Sequence, residues 1–274
     1  MRGFRAPVAP ALLTLALFAA SCGRNPAPPP PLRLATTTST RDSGLLDHLL
    51  PLLERDTGVR VAVLAVGSGQ ALRIGAEGDA DLLLTHDPAG EEELVASGAA
   101  VDRRSFMYND FVLAGPAGAL GDGPPPADAR EALRRIASAG VPWLSRGDDS
   151  GTHRKERRLW REAGVEPGGA WCRETGQGMG ATLSMAAELG AVTLTDRATL
   201  TAHAAAPELT VLFEGDPALR NPYAVLLVDP ARHPHVRGGD ARRAADWLTG
   251  PAGRAAIEAY RLRGRQVFFL LSGD

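Results

Sequence analysis

Short apolar runs alternate with amphipathic segments along most of the chain. The predicted strands cover residues 32–36, 59–66, 81–85, 106–115, 141–145, 192–195, 210–213 and 223–228. The predicted helices cover residues 43–55, 69–76, 91–97, 127–139, 152–163, 180–189, 241–248 and 253–260, where apolar side chains recur at helical spacing. Strands that alternate with helices in this way indicate an α/β fold with largely parallel sheets.

The N-terminus departs from this alternation. Arg2 and Arg5 precede an apolar run over residues 8–20, which is too short for a membrane-spanning helix of about 20 residues. Positive, then apolar, then small residues follow one another in a secretory signal peptide. We therefore predict a signal peptide over residues 1–21.

Cys22 follows shortly after the apolar run, and the preceding residues 18–21 read FAAS. Small residues before a cysteine resemble the lipobox of bacterial lipoproteins, in which the cysteine is lipidated and becomes the mature N-terminus. An ordinary signal peptide with an incidental cysteine is the alternative. Residues 23–31 read GRNPAPPPP, a composition that favours an extended spacer. We predict a lipidated cysteine and spacer over residues 22–31 that hold the protein at the periplasmic or outer face of a membrane.

Composition limits the classes of function. The 274 residues are 44% hydrophobic, which is enough to bury a sizeable core, and 30 basic residues against 32 acidic ones give a net charge of −2. Because there is no basic excess to bind a polyanion, nucleic acid is not expected as a partner. The two cysteines, Cys22 and Cys172, exclude a disulfide-rich scaffold and a cysteine-based zinc site.

Four turns at the start of a predicted helix are rich in Ser and Thr; the first three follow a predicted strand, and the last three contain glycine. They cover residues 35–40 (ATTTST), 66–70 (VGSGQ), 145–153 (SRGDDSGTH) and 176–182 (GQGMGAT). A helix N-terminus presents unpaired N–H groups and the positive end of the helix dipole, and hydroxyl groups add neutral donors. Such turns form anion sites at the carboxyl ends of strands. The alternative is that Ser and Thr serve only as helix caps.

The sequence also contains a characteristic series of motifs. In order, these are TTTSTRDSGLL (36–46), VGSGQAL (66–72), NDFVLAGP (109–116), SRGDDSGTH (145–153), GQGMGATL (176–183) and TLTDRATL (193–200). Together they resemble the tungstate-binding lipoproteins of ABC importers, over nearly all of residues 33–270. The resemblance implies a two-lobed periplasmic-binding-protein fold of the second type, with two hinge crossings and a ligand cleft between the lobes. Lobe one would comprise residues 32–110 with 222–274, and lobe two residues 111–221.

A deprotonated tetrahedral oxyanion only accepts hydrogen bonds, so its site should consist of donors. The candidate ligand-binding residues are Thr38, Ser39, Ser68, Arg146, Ser150, Gly151, Thr152 and Thr182. Arg146 would supply the one formal positive charge and up to five donors; the alternative is that it pairs with Asp148 or Asp149 and only braces the loop. We expect Asp149 to cap the following helix. A buried Asp149 would instead favour monohydrogen phosphate, whose proton needs an acceptor.

The sequence predicts an extracytoplasmic solute-binding protein that captures tungstate, with molybdate as the close competitor, for the membrane permease of an ABC transporter. A phosphate- or sulfate-binding protein and a membrane-tethered oxyanion sensor are the alternatives. We expect no enzymatic activity, because the proximity of Ser150 and His153 in sequence does not establish a catalytic triad and no G-x-S-x-G motif is present. We expect a monomer without a cofactor or a bound metal.

Overall fold

The computed structural model describes Gly3, residues 29–203 and residues 208–271. Apart from Gly3, the predicted signal peptide lies outside the described residues, as do Cys22 and most of the predicted spacer. All the strands and helices of the described residues belong to the unit that begins at Pro31. Among the described residues, no helix combines the length and the apolar character that crossing a bilayer requires.

Strands and helices alternate as the hydrophobic pattern predicts. The strands are β1 Leu32–Thr37, β2 Val61–Val66, β3 Leu82–Thr85, β4 Ala100–Gly115, β5 Trp143–Ser145, β6 Cys172–Glu174, β7 Thr193–Asp196, β8 Thr210–Phe213, β9 Arg220–Val228 and β10 Phe269–Leu270. The helices are α1 Thr38–Asp42, α2 Leu45–Thr57, α3 Ser68–Glu77, α4 Pro88–Ala96, α5 Ala129–Ala139, α6 Gly151–Ala163, α7 Met179–Leu189, α8 Arg197–Ala202, α9 Gly238–Thr249 and α10 Pro251–Ala259. The α/β class is confirmed, while α1, β6, α8 and β10 are too short or too polar to be predicted from periodicity.

The first sheet has the strand order β10-β4-β9-β3-β1-β2. Leu34 of β1 and Leu84 of β3 lie in one buried cluster with Leu49 of α2, Tyr223 of β9 and Trp247 of α9. A second buried cluster lies on α3 and α4 together with Leu83. Helices therefore cover both faces of the sheet, and the carboxyl ends of β1, β2 and β3 lie at one edge.

Strand β4 runs through two sheets. It pairs with β9 as far as Asp110, opposite Arg220, and from Phe111 onward it pairs with β7. Near Gly115 it also pairs with β8. The chain therefore passes from the first group of elements to the second within β4 and returns within β9.

The prediction of largely parallel sheets is wrong. Among the described strands, β1–β2, β1–β3 and β5–β6 pair in parallel, whereas β3–β9, β4–β7, β4–β8, β4–β9 and β4–β10 pair antiparallel. The physical reason is the single long strand β4, because each strand that packs beside it runs back against it. The sheets are mixed, with their parallel part confined to the βαβ units.

The second group of elements packs around its own core. Phe111 of β4, Ile136 of α5 and Leu159 of α6 share a buried cluster with Trp143 and Trp160. The two tryptophan rings meet edge to face, with centroids 4.9 Å apart. This core fixes α6 relative to β5, and so positions the loop of residues 146–150 between them.

Candidate functional site

The first part of the site lies where β1 passes into α1. The Thr37 hydroxyl caps α1 by accepting the N–H of Thr40 at 3.3 Å. It also lies 3.1 Å from the Ser39 hydroxyl oxygen. Ser39 is half-buried, whereas the Thr38 side chain is exposed. The amide groups of Thr38 and Ser39 belong to the first helical turn, which has no intrahelical acceptor for them.

His86 follows β3 and completes this part of the site. Its Nε2 atom lies 3.2 Å from the Thr37 hydroxyl and 3.5 Å from the Ser39 hydroxyl. Its ring packs against Tyr223 with the centroids 4.8 Å apart. Burial lowers the pKa of His86 to about 4, so the ring is neutral at pH 7 and offers one N–H donor and one nitrogen acceptor.

Ser68 opens α3 at the end of β2 and is buried. Gly67, the N-cap, provides no side-chain cap, so no side chain of that residue competes for the first amide groups of α3. Ser68 faces Gly151, the first residue of α6. A Cβ atom on Gly151 would lie 3.4 Å from the Ser68 Oγ atom and 3.4 Å from Cε1 of His86. The starts of two helices from different sheets thus lie so close together that a Cβ atom on one would be in van der Waals contact with the other.

Arg146 lies in the loop before α6. Its guanidinium group forms an ion pair with Asp148, through Nη2 and Oδ2. Its side chain is 16% exposed, and its Nε atom is buried without a hydrogen-bond partner among the described residues. Arg146 therefore does brace its own loop, as the alternative interpretation held, and it also keeps one donor that nothing in the described chain satisfies.

Asp148 and Ser150 order the start of α6. Asp148 Oδ1 accepts the N–H of Ser150 at 3.2 Å. Burial acts to raise the pKa of Asp148, but the hydrogen bonds from Ser150 and the charge of Arg146 hold it below its usual value. The Ser150 hydroxyl caps α6 by accepting the N–H of His153 at 3.3 Å. The amide groups of Gly151 and Thr152 follow in the first turn, where the helix supplies no acceptor.

The expectation that Asp149 caps α6 is wrong. Ser150 occupies the cap, and Asp149 stands outside the helix in the left-handed region with φ at +52°. Its N–H donates to Nδ1 of His153 at 3.0 Å, and its side chain is exposed. Since Asp149 is not buried, the condition under which it would favour a proton-bearing anion is not met.

Thr182 lies behind this loop in α7 and is wholly buried. Its hydroxyl donates to the carbonyl of Gly178 at 3.2 Å and lies 2.9 Å from the Thr175 hydroxyl. The N–H of Gly176 donates to the carbonyl of Arg146 at 2.8 Å. The contacts of Thr182 therefore point to support of the loop of Arg146, while a direct contact to a ligand stays a prediction.

Two buried carboxylates flank the loop. Glu156 of α6 accepts the indole N–H of Trp143 at 2.9 Å and the hydroxyl of Ser145 at 3.0 Å, and burial raises its pKa to about 7. Asp196 caps α8 and accepts two hydrogen bonds from Thr199. Burial raises the pKa of Asp196, and those hydrogen bonds and the charge of Arg146 oppose that shift.

The floor of the cleft is formed by the two strands that cross between the sheets. Asn221 of β9 donates through Nδ2 to the side-chain oxygen of Asn109 of β4 at 2.8 Å. Asn109 in turn donates to the hydroxyl of Tyr223 at 3.2 Å. Both asparagines are buried. This network joins the crossing strands directly beneath His86, whose ring packs on Tyr223.

The structure brings most of the predicted residues together. We define the first half-site as Thr37, Ser39, Ser68 and His86, and the second half-site as Arg146, Asp148, Ser150, Gly151 and Thr152. The two meet where Ser68 and His86 face Gly151. Of the eight candidates, the side chain of Thr38 is exposed and that of Thr182 is enclosed. Within the described part of the chain, no cluster of three or more His, Cys, Asp or Glu side chains is arranged to hold a metal ion.

Thr37 and His86 were not among the predicted ligand-binding residues. Thr37 lies in the predicted turn of residues 35–40, whereas His86 stands in none of the four turns. Thr37 is the last residue of β1 and His86 directly follows β3, at the edge of the sheet where the predicted turns lie. Their position at the strand ends is therefore the signal that could have found them.

Comparisons with known proteins place this geometry in a family. The chain matches the family model described as a PBP superfamily domain over residues 25–251. It is 43% identical over 233 residues to the tungstate-binding protein TupA of Peptoclostridium acidaminophilum, covering 83% of this chain and 80% of that protein. The solved structure of the tungstate-binding protein TupA from Desulfovibrio alaskensis G20 is 40% identical, with a TM-score of 0.80, covering 89% of this chain and all of that one. The solved tungstate ABC transporter structure from Geobacter sulfurreducens is 46% identical, with a TM-score of 0.76, covering 84% and 98%.

Proposed function

Because the chain belongs to the PBP superfamily, and within it to the family of the tungstate-binding proteins, we propose that it is an extracytoplasmic solute-binding protein that captures tungstate for an ABC transporter. The observation that carries the proposal is the meeting of two helix starts, at Ser68 and Gly151, beside the unsatisfied Nε donor of Arg146. Amide and hydroxyl donors with one guanidinium group suit a dianion that can only accept hydrogen bonds.

Capture is a binding process without a covalent step. The anion would bind between the half-sites and favour the closed arrangement by its higher affinity for that arrangement. We take lobe one as residues 32–110 with 222–274 and lobe two as residues 111–221. The change of strand partner between Asp110 and Phe111 supports the first hinge at that point. The closed form would then dock on the membrane permease, which is the partner we propose.

Molybdate is the close competitor, since it shares the charge and the shape of tungstate. A proton-bearing anion such as monohydrogen phosphate is a second candidate, which the buried carboxylate of Asp196 near Arg146 favours. Both oxygens of Asp196 already accept hydrogen bonds from Thr199. That arrangement supports a structural role for Asp196, and we therefore rank the fully deprotonated anions first.

The proposed location rests on the sequence of the N-terminus. A lipid on Cys22 would anchor the protein to the membrane, and the Pro-rich stretch would space the binding domain from the surface. Replacement of Cys22 by Ser should move a monomeric protein from the membrane fraction to the soluble fraction of cells. If a membrane kinase rather than a permease co-purifies with the anchored protein, the sensor role replaces transport.

Calorimetric titration tests the ligand. Residues 23–274 are titrated with tungstate, molybdate, sulfate and phosphate at pH 6 and pH 8. Tight binding of tungstate, equal or weaker binding of molybdate and no binding of phosphate are expected. Phosphate binding that changes with pH would indicate that a carboxylate contacts the ligand. The absence of heat with all four anions would overturn the oxyanion function and leave the Ser and Thr residues as helix caps.

A further inference from the structure

A second contact crosses the cleft beside the half-sites. Asp87 directly follows His86 at the end of β3, and Arg154 lies in the first turns of α6. Nη2 of Arg154 is 2.8 Å from Oδ2 of Asp87. The Arg154 side chain is 38% exposed and that of Asp87 is 21% exposed. The pair joins an element of the first sheet to a helix of the second core.

The positions of Asp87 and Arg154 link their ion pair to the approach of the two half-sites. Gly151 and Arg154 are three residues apart in α6, so they lie on neighbouring parts of one helix face. On the opposite side, His86 and Asp87 are adjacent in sequence. A movement that brings Gly151 against His86 therefore also brings Arg154 to Asp87. Neither residue of the ion pair belongs to the half-sites, so the contact forms in addition to those that a ligand makes.

The ion pair also borders a cavity. A cavity of about 650 Å³ is lined by His86, Asp87, Gly151 and Arg154, and it extends along Lys155 and Arg220. The cavity thus reaches the two residues at which the half-sites meet. The ion pair therefore forms part of the wall of this cavity.

We propose that the Asp87–Arg154 ion pair is an interlobe latch, which stabilises the closed form and slows the release of the bound anion. The proposal rests on the proposed function. Asp87 and Arg154 act as positioning residues, since the latch holds the two half-sites together without a contact to the anion. A partly exposed ion pair of this kind should change the release rate by about two- to fivefold.

The direction in which Asp87→Asn changes anion affinity distinguishes a latch from a direct electrostatic effect of the Asp87 charge on the anion. Asp87 carries a negative charge near an anion site, so removal of that charge alone should tighten anion binding. A latch predicts the opposite, because Asp87→Asn breaks the ion pair. Arg154→Gln weakens binding under both explanations and therefore decides nothing by itself.

The test measures release of tungstate from the full mature chain by stopped-flow displacement. Asp87→Asn and Arg154→Gln should each speed release about two- to fivefold. The double variant should be no faster than the faster single variant, because both changes break one contact. The exchange Asp87→Arg with Arg154→Asp should restore slow release at least in part. Glu162→Gln is the matched control, since it breaks an ion pair with Arg158 that stays within α6, and it should leave the rate unchanged.

Slower release, or tighter binding, in Asp87→Asn would overturn the latch, as would an unchanged rate. Failure of the proposed function looks different, since the wild type itself would then give no binding heat with any of the four anions. In that case small-angle X-ray scattering of the ligand-free proteins tests the latch. The latch predicts a larger radius of gyration for Asp87→Asn and Arg154→Gln than for the wild type and Glu162→Gln, and equal curves would overturn it.

Discussion

The two half-sites use different chemistry. In the first half-site, Thr37, Ser39 and Ser68 carry hydroxyl groups and His86 carries a neutral imidazole ring. The second half-site holds the guanidinium group of Arg146 in an ion pair with Asp148. Both also present the N-terminus of a helix. We therefore expect an anion to contact one guanidinium group on one side of the cleft and only neutral side chains on the other.

The buried titratable groups next to the half-sites differ in the same way. His86 belongs to the first half-site, and burial lowers its pKa to about 4. Glu156 supports the second half-site, and burial raises its pKa to about 7. Each group is neutral in the folded protein where its unfolded form would be charged. The two sides should therefore respond to pH with opposite signs.

The largest effect is expected at Glu156. Its pKa is about 4.5 in the unfolded chain and about 7 in the folded protein, so the folded state holds the proton more tightly. The stabilising contribution is complete below pH 4.5 and is lost as pH rises through 7, on the order of 3 kcal/mol in total. Glu156→Gln should remove this dependence, so its free energy of unfolding relative to wild type should rise between pH 5 and pH 8.

Urea denaturation at pH 5 and pH 8 measures this difference. Glu162→Gln on the same helix is the control, since that carboxylate pairs with Arg158 at the surface. It should not change the pH dependence. Parallel pH profiles for wild type and Glu156→Gln would show that Glu156 has an ordinary pKa in the folded protein.

Arg146→Ala should produce the next largest effect and the largest on binding. Hydrogen bonds to charged groups contribute about 1.5–3 kcal/mol, so the tungstate Kd should rise ten- to a hundredfold or more. The variant also breaks the ion pair with Asp148, and circular dichroism must show that it folds. Arg134→Ala, an exposed arginine of α5, should leave the Kd unchanged in calorimetry. Unchanged affinity in folded Arg146→Ala would remove Arg146 from the site.

His86 should make the free energy of unfolding depend on pH with the opposite sign to Glu156, and His86→Gln tests this. The folded pKa of about 4 lies below the ordinary value of 6.5, so the unfolded chain binds the proton more tightly between those values. Stability is then complete above pH 6.5 and falls as pH drops through 4, by about 3 kcal/mol in total and by about 2 kcal/mol between pH 7 and pH 4.5. His86→Gln should flatten this loss in urea denaturation between pH 4.5 and pH 7. His235→Gln, at an exposed histidine, should retain the slope of the wild type.

Ser68 and Thr38 provide the smallest and sharpest test within one half-site. Ser68 is buried against Gly151, whereas the Thr38 side chain is exposed. Loss of one neutral hydrogen bond costs about 0.5–1.5 kcal/mol, so Ser68→Ala should raise the Kd about two- to tenfold. Thr38→Ala should change it less than about twofold, because only its amide group would contact an anion. Ser68→Thr keeps the hydroxyl and should bind nearly as the wild type; equal losses in Ser68→Ala and Thr38→Ala would contradict this assignment.

The sequence predicts the fold well where the pattern is local. Leucines at helical spacing in residues 43–55 predict the greater part of α2, and residues 210–213 match β8. The two-lobed periplasmic-binding-protein fold, which the motifs imply, is confirmed by the family match and by the solved structures. The predicted direction of the strands was wrong, because the antiparallel strands beside β4 come from distant parts of the chain. Periodicity carries no information on which strands become neighbours.

The site was predictable only in part, for a related reason. Ser68 and Gly151 each stand in a glycine-rich turn, but only the folded chain shows that they face each other. His86 has no local motif and joins the site through Thr37, 49 positions earlier. Asp149 and Ser150 are both good helix caps by residue type. The loop geometry that Arg146 and Asp148 impose decides in favour of Ser150.

The place of β9 in the first sheet has a consequence for how the chain becomes folded. β9 lies between β4 and β3, yet its residues follow the whole second group of elements in sequence. Because synthesis begins at the N-terminus, β1, β2 and β3 are complete long before β9, the strand that joins them to β4. Closing so long a loop carries an entropy cost and slows folding. The N-terminal half alone should therefore stay incompletely folded until residues 220–228 are available.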